Sequence, residues 1–553
     1  MQEGAFTAIK SVAGGVMPAD VQELASLGAF GRNRKIESQI INKYCNRRLT
    51  PEPFHWQVPI KVKDATGMHI KMTDVAMCLP FDWFESIAEE QVAEVVFGKS
   101  GLGKFWTDIS PDDPRLHEFP AEGRRFIVPL LIHGDGAVFA EKDSLMVISM
   151  RSVLSEHSVG DSQLLLAAIP KSCRVQSGDP TQDTWLCVWR ILVWAFLALF
   201  IGKHPDRDPD NNPWPPNSKR AEMAGKPFRS RLRGWIFSLS GDYDYFSNDL
   251  KLPHFSSISP CHKCGCAWDG ANPYDFRPGA AWKASVKTSE WFRQHPITDH
   301  PIMGAPHVRA ETFQIDVLHM LELGVSQYAV ASLFFELCFN ELIGSKAAKL
   351  EVLYEKIRQI YFQLAIPSDY QISRLRYKDF SSEAAPHKNY PQLHSSQIKG
   401  RVTRYLIPVS VELARQHRRG NHGGHRFLLF EALEGMCSLI DQGPMFLDPA
   451  QQLQFRKCTE EFLLHAGWLA KEATDSEKKL WHLIPKHHYV AHMPDQACLV
   501  NPKFVWCYGS ESMVGRIARL GQSCLSGTQA CFVSKSLMQK YVIAMHLAFL
   551  GME

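Results

Sequence analysis

The chain has 553 residues, 45% of them hydrophobic and 22% charged, an ordinary composition for a soluble globular protein of three or four lobes. Its formal net charge of +3 is too mild to imply a nucleic-acid partner by itself, so any basic surface must be local. Fourteen scattered cysteines, and a start "MQEGAFTAIKSVAGG" without an apolar signal core, point to a reducing intracellular compartment. Paired cysteines are then read as metal ligands before disulfides.

Residues 1–120 read as a mixed α+β region. "ADVQELASLGAFG" has the pattern of a short helix, "FHWQVPIKVK" of a strand, and "FDWFESIAEEQVAEVVFG" of a helix closed by Gly98. Three apolar segments follow at 124–136, 144–154 and 162–175, with the lengths and β-branched content of strands joined by hairpins. "WLCVWRILVWAFLALFIG" (185–202) carries Arg190 and has 18 residues, short of the ~20 of a spanning helix, so it is expected to be a buried core helix. "DRDPDNNPWPPN" reads as a loop and "GWIFSLSGDYDYF" as a fourth strand.

Three hairpin-linked strands, a crossover helix and a further strand would open a ribonuclease-H-like α/β fold, one of several that propensity allows. Residues 305–480 are mainly helical in period, and the helix at Glu511 and the amphipathic 535–550 would return to the sheet. The expected division is 1–120 for the N-terminal region and 121–255 for the first part of the core. A helical insertion then fills 256–485, and the core closes with 486–553.

Candidate chemistry lies at the strand ends. Asp135, in "LLIHGDGAVF", has a glycine on each side, which would let a large substrate approach its carboxylate; the alternative is a hairpin turn. Asp242, in "FSLSGDYDYF", ends the fourth strand in the same style, with Asp244 a competing choice. Two such acids plus one from a later helix would form a divalent-metal site suited to in-line phosphoryl transfer.

"SPCHKCGCAW" places Cys261 and Cys264 in a C-x-x-C with Cys266 beside them, half of a zinc site. "HHYVAH" offers His487 or His488 together with His492. A Cys₂His₂ set would be closed and structural, although the two halves are more than 220 residues apart. The alternative is a pair of unrelated features, free cysteines and loop histidines. Lys219, Arg220, Lys226, Arg229, Arg231 and Arg233 form a basic segment before the fourth strand, and "RQHRRGNHGGHR" reads as a Gly-rich basic loop; both could meet DNA phosphates or be solvated faces.

In this order the elements resemble a DDE transposase of the CACTA/Kyakuja–Dileera–Zisupton type, related to the catalytic subunit of the V(D)J recombinase. The resemblance covers about residues 120 to 520. It rests on "HGDG" with Asp135, "GDYDYF" with Asp242, "CHKC", "QIDVLHMLELGV" with Asp316 and His319, "PKHHYVAH", and Glu511 in "YGSESMVGRI". It implies a ribonuclease-H-like core interrupted by a helical insertion. It further implies Mg²⁺ or Mn²⁺ on the catalytic acids Asp135, Asp242 and Glu511, and a structural Zn²⁺ on Cys261, Cys264, His487 and His492, with His488 the alternative. Asp316 and His319 match a family motif of less certain role; a helix cap with a packed histidine accounts for them equally.

The activity implied is cleavage and transfer of DNA strands at transposon ends, in the nucleus, by a homo-oligomer with no membrane partner. The chain departs from the family in showing no separate end-binding module, as a truncated reading frame would. It also has Ser510 and Ser512 where acidic neighbours of the glutamate are usual. The competing expectations are a catalytically inactive transposase-derived DNA-binding or scaffold protein, and a zinc hydrolase built on the histidine cluster.

Overall fold

A computed structural model describes residues 49–550 except 88–89, 156–161, 180, 382–387, 395–397 and 526–528. The helix expected in "ADVQELASLGAFG" lies outside the described residues.

The chain is mixed α/β: an N-terminal hairpin, a four-stranded mixed sheet, and a largely helical C-terminal half. The hairpin pairs β1 (Phe54–Asp64) with β2 (Gly67–Met77), turning at Gly67 with φ 130°, a conformation few residues but glycine adopt. The second strand was not expected, because "GMHIKMTDVAM" alternates too weakly to stand out. The single helix expected after it is two, Pro80–Ser86 and Glu90–Phe97. Gly98 does close the second, in the left-handed region, and a Cβ there would stand 2.4 Å from the Leu154 carbonyl oxygen.

The main sheet has the order β5–β4–β3–β6, from β3 (Ile127–Ala140), β4 (Asp143–Ser152), β5 (Leu164–Pro170) and β6 (Arg233–Gly241). β3, β4 and β5 are antiparallel neighbours; β6 lies parallel to β3. Between β5 and β6 runs helix α1 (Thr184–Ile201), capped by the Asp183 carboxylate, which accepts from the amides of Trp185 and Leu186 at 2.9 and 3.1 Å. Gly202 ends it at φ 84°. By length and composition α1 could cross a membrane, yet two-thirds of it (67%) is buried inside the molecule. Arg190 leaves the apolar face to pair with Asp210 at 2.7 Å.

The helical half has its own core, built by α2 (Ser326–Glu336), α3 (Lys346–Gln363), α4 (Gly400–Gln416), α5 (Gly420–Gln442) and α6 (Pro449–Asp475). α7 (Pro485–Val490) follows. Then α8 (Tyr508–Gln522) packs on β3, and α9 (Ala530–Leu550) packs on β5 and the hairpin. The helix expected to run unbroken through "VLHMLELGVSQYAV" is interrupted at Gly324, whose φ −127° and ψ −115° lie outside helical space.

The Gly-rich segment "RRGNHGGHR" is not a loop. It forms the first turns of α5, because His422 and Arg426, four residues apart on one face, meet carboxylates there. Arg426 pairs with Glu336 at 3.0 Å and Glu341 at 2.5 Å, and His422 bridges Glu336 and Glu472. The charges of His422 and Arg426 are thus met inside the protein, whereas Arg418 and Arg419 are exposed ahead of the helix. Against the effect of burial, His417 and Arg426 hold Glu341 down to about 2. Because the folded value lies below the unfolded one, Glu341 contributes stability above about pH 4.5 that disappears as pH falls toward 2. Glu341→Gln should therefore lower the melting midpoint at pH 5 by roughly 2–4 °C, with the difference from wild type closing near pH 2. A constant difference across that window would remove Glu341 from the acid response.

Candidate functional site

The register of the sheet brings the first two acids together. Gly134 of β3 lies opposite Gly241 of β6, so Asp135 and Asp242 follow at neighbouring positions where the parallel pairing stops. Asp135 is not in a hairpin turn: β3 continues to Ala140 against β4. Both glycines are sterically required, since a Cβ at Gly134 or Gly241 would meet the Tyr245 ring at 2.0 or 2.4 Å. Asp242 turns the chain after β6, its carboxylate accepting from the Tyr245 amide at 2.6 Å.

The third acid arrives from the far end of the chain. Glu511 sits in the first turn of α8, where the helix dipole favours a carboxylate. Its carboxyl lies within electrostatic reach of Asp135, Asp242 and Asp316. Burial first, then Glu511 and Asp242, push the Asp135 carboxyl up to about 8. Asp244 is not among the main influences on Asp135 or Glu511; it is exposed and acts on Lys486. The oxygen atoms of Asp135, Asp242 and Glu511 do not all lie within 4.8 Å of one another.

Asp316 and His319 join this cluster. One Asp316 oxygen accepts from the Cys507 amide at 2.7 Å; the other meets His319 Nδ1 at 2.7 Å. That leaves His319 Nε2 3.7 Å from Glu511 Oε1. Burial alone would lower His319, but Asp316 and then Glu511 carry it up to about 9, so the ring is a cation beside the acids. Asp316, His319 and Cys507 also bring ligand atoms within 4.8 Å of one another.

His133, overlooked in the sequence, is fully buried with neither ring nitrogen hydrogen-bonded, its Nε2 3.9 Å from Glu511 Oε1. Burial pushes it down to about 3, so it is neutral. The available signal was its spacing: two residues before Asp135, it shares that residue's face of the strand. Glu511 Oε1 is itself buried without a hydrogen-bond partner, a carboxylate oxygen suited to a cation or an ordered water.

The second cluster is a buried Cys₃His set. Cys261, Cys264, Cys266 and His488 bring their ligand atoms within 4.8 Å of one another and could hold a zinc. His488 Nδ1 faces the Pro273 carbonyl at 3.0 Å, which leaves Nε2 toward Cys264 Sγ, 3.2 Å away. Such an outer hydrogen bond fixes the tautomer a metal needs. Although burial opposes it, Cys264, Cys266 and His492 pull Cys261 well below its ordinary value, while Cys264 and Cys266 are raised.

The expected ligand set therefore changes in two places. His487 points elsewhere: its Nδ1 accepts from the Ile484 amide at 3.1 Å, and its ring stacks on Phe462. At the start of a helix, adjacent residues project about 100° apart, so only one of the pair faces the cysteines. Cys266 takes the place given to a second histidine. His492 stands at the edge of the set, Nε2 3.6 Å from Cys261 Sγ and 3.4 Å from His488 Nε2.

The basic segment is not near the acids. It precedes β6, and Arg233 opens the strand that Asp242 follows, about 30 Å away at strand spacing. Arg220 is paired bidentately with Asp82 at 2.6 and 2.7 Å, Arg229 with Glu85, and Arg233 donates to the Gly123 carbonyl. These arginines fasten the segment to the N-terminal region. Lys219, Lys226 and Arg231 form no ion pair within 4 Å among the described residues.

No protein-family model matches the chain, and no curated protein matches it.

Proposed function

We propose that the chain cleaves and joins DNA strands as a DDE transposase does, with Asp135, Asp242 and Glu511 as its catalytic acids. The observation that carries this reading is the meeting of three carboxyls from β3, the end of β6 and the start of α8, where burial first, and then Glu511 and Asp242, push Asp135 up to about 8. Like charges so placed repel, and a divalent cation relieves the repulsion. The strand order, with three antiparallel strands and a fourth parallel to the first, supports the ribonuclease-H-like reading. Phe313 adds a single parallel bridge to Leu239 where a fifth strand would stand.

Bound at the acids, Mg²⁺ or Mn²⁺ would activate the attacking water or 3′-hydroxyl and stabilise the departing oxygen. Asp135, which both Glu511 and Asp242 influence, would be the ligand they share. His319, oriented by Asp316, sets a positive charge beside Glu511 and limits its motion. The Cys₃His set would hold a structural Zn²⁺ joining the two ends of the helical region. DNA is the partner, a homo-oligomer the working state and the nucleus the place of action.

The test is nicking of supercoiled plasmid by the purified protein with Mg²⁺ or Mn²⁺: metal-dependent nicking that Asp135→Asn removes supports the reading. A second reading, a DNA-binding scaffold without catalysis, is favoured by the same spread of the three acids beyond 4.8 Å. Full DNA binding without nicking in either metal would select it.

A further inference from the structure

A cavity of about 780 Å³ opens between the sheet and the α5–α6 connection, lined by Lys104, Arg151, Lys503, Phe446 and Trp506 with Asp108 at its edge. Two of its cations are engaged: Lys104 pairs with Asp108, and Lys503 Nζ donates to the Asp441 carbonyl at 2.7 Å. Arg151 is different. One Nη donates to the Phe504 carbonyl at 3.2 Å, Nε is buried with no partner, and no carboxylate lies within 4 Å among the described residues. Burial pushes it down to about 10, against the opposing influence of Cys507.

An arginine in such surroundings is costly to keep charged unless an anion meets it. Its planar fork matches the oxygens of a phosphate. The position gives the anion a context. Arg151 lies opposite Leu131 and Asp135 opposite Val147, so both side chains share one face of the sheet, four residues or about 13 Å apart. The neighbouring aromatic surfaces, Phe446 and Trp506, suit the sugar and base of a strand rather than a bare ion.

We propose that this cavity is a phosphate-binding subsite, holding the DNA backbone a few nucleotides from the phosphodiester at the acids. The proposal rests on the strand-cleaving reading above. Arg151 supplies the bidentate contact, Lys503 adds charge at the rim, and the sheet fixes their distance from Asp135.

The probe is a fluorescein-labelled duplex DNA of random sequence, its affinity measured by anisotropy across a salt series with Ca²⁺ present. Arg151→Gln should weaken binding about tenfold and reduce the log–log salt slope by about 1, whereas Arg151→Lys should keep the slope. Lys503→Gln, at the rim, should lower the slope as well, and it decides the matter if a melting curve shows that Arg151→Gln is unfolded. Unchanged slopes in the folded variants would overturn the proposal. So would a thermal shift with inorganic phosphate that depends on Arg151 while DNA affinity does not, which would assign the cavity to free phosphate. Asp135→Asn separates the two readings. Loss of nicking with unchanged Arg151 dependence supports both, and loss of nicking without any Arg151 dependence leaves the strand-cleaving reading standing alone. An Arg151-dependent slope in a wild type that never nicks DNA overturns the strand-cleaving reading but not the subsite.

Discussion

Replacing Asp135 by asparagine, or Glu511 by glutamine, should lower metal-dependent DNA nicking on the order of 10³-fold or more, with the fold intact. Both changes keep the shape of the side chain and remove its charge. For Asp135 the folded protein even gains, because neutralising it removes the cost of a buried charge and of its repulsion by Glu511 and Asp242, which together raise its ionisation to about 8. The melting midpoint of Asp135→Asn at pH 8 should therefore equal or exceed that of wild type in the absence of divalent metal. Asp244→Asn is the internal control: its carboxylate is exposed and is not among the main influences on Asp135 or Glu511, so nicking should persist. Loss of nicking in Asp244→Asn, with activity kept in Asp135→Asn, would move the chemistry elsewhere.

The second large effect concerns the zinc. Cys264→Ser should lose the metal and loosen the helical half, because the binding free energy of a structural zinc, on the order of 10 kcal/mol, is folding free energy. Cys264 belongs to a chain segment that leaves the sheet after β6, and His488 to one that returns just before α8. Their union closes a loop of more than 220 residues. Nicking should fall with it, since Glu511 begins its helix from that closure. His487→Ala is the discriminating partner: its ring stacks on Phe462 outside the Cys₃His set, so zinc content should stay at one per chain. His488→Ala should lose it. Elemental analysis of the three variants checks this directly, and zinc retained by His488→Ala together with loss in His487→Ala would reverse the ligand assignment.

Much of this arrangement was legible in the sequence, and the parts that were not have physical causes. The strands β3 to β6 announced themselves because buried strands read as continuous apolar runs. Asp135 and Asp242 were visible because each follows a glycine, and that glycine turns out to make room for Tyr245. The pairing of Asp316 with His319 could be read from spacing, but its contact with Glu511 joins residues nearly 200 positions apart and has no local trace. Choosing between His487 and His488 needed the helix phase at Pro485, which adjacent identical residues conceal. Cys266 was in plain view, yet a C-x-x-C with paired histidines suggests two of each. The internal ion pairs of the basic segments have no local trace either. Sequence shows the arginines but not their partners, and Asp82, Glu85, Glu336 and Glu341 all come from distant parts of the chain.

The central claim is that Asp135 is the shared carboxylate of a divalent-metal site. Crystals grown with Mn²⁺ and measured at the manganese edge test it most directly, because anomalous peaks locate the ion and separate it from zinc. Manganese should lie in contact with Asp135 and with Glu511 or Asp242, and a distinct zinc at Cys261, Cys264, Cys266 and His488. Manganese bound elsewhere, or acids left bare in crystals of protein that nicks DNA with Mn²⁺, would contradict it.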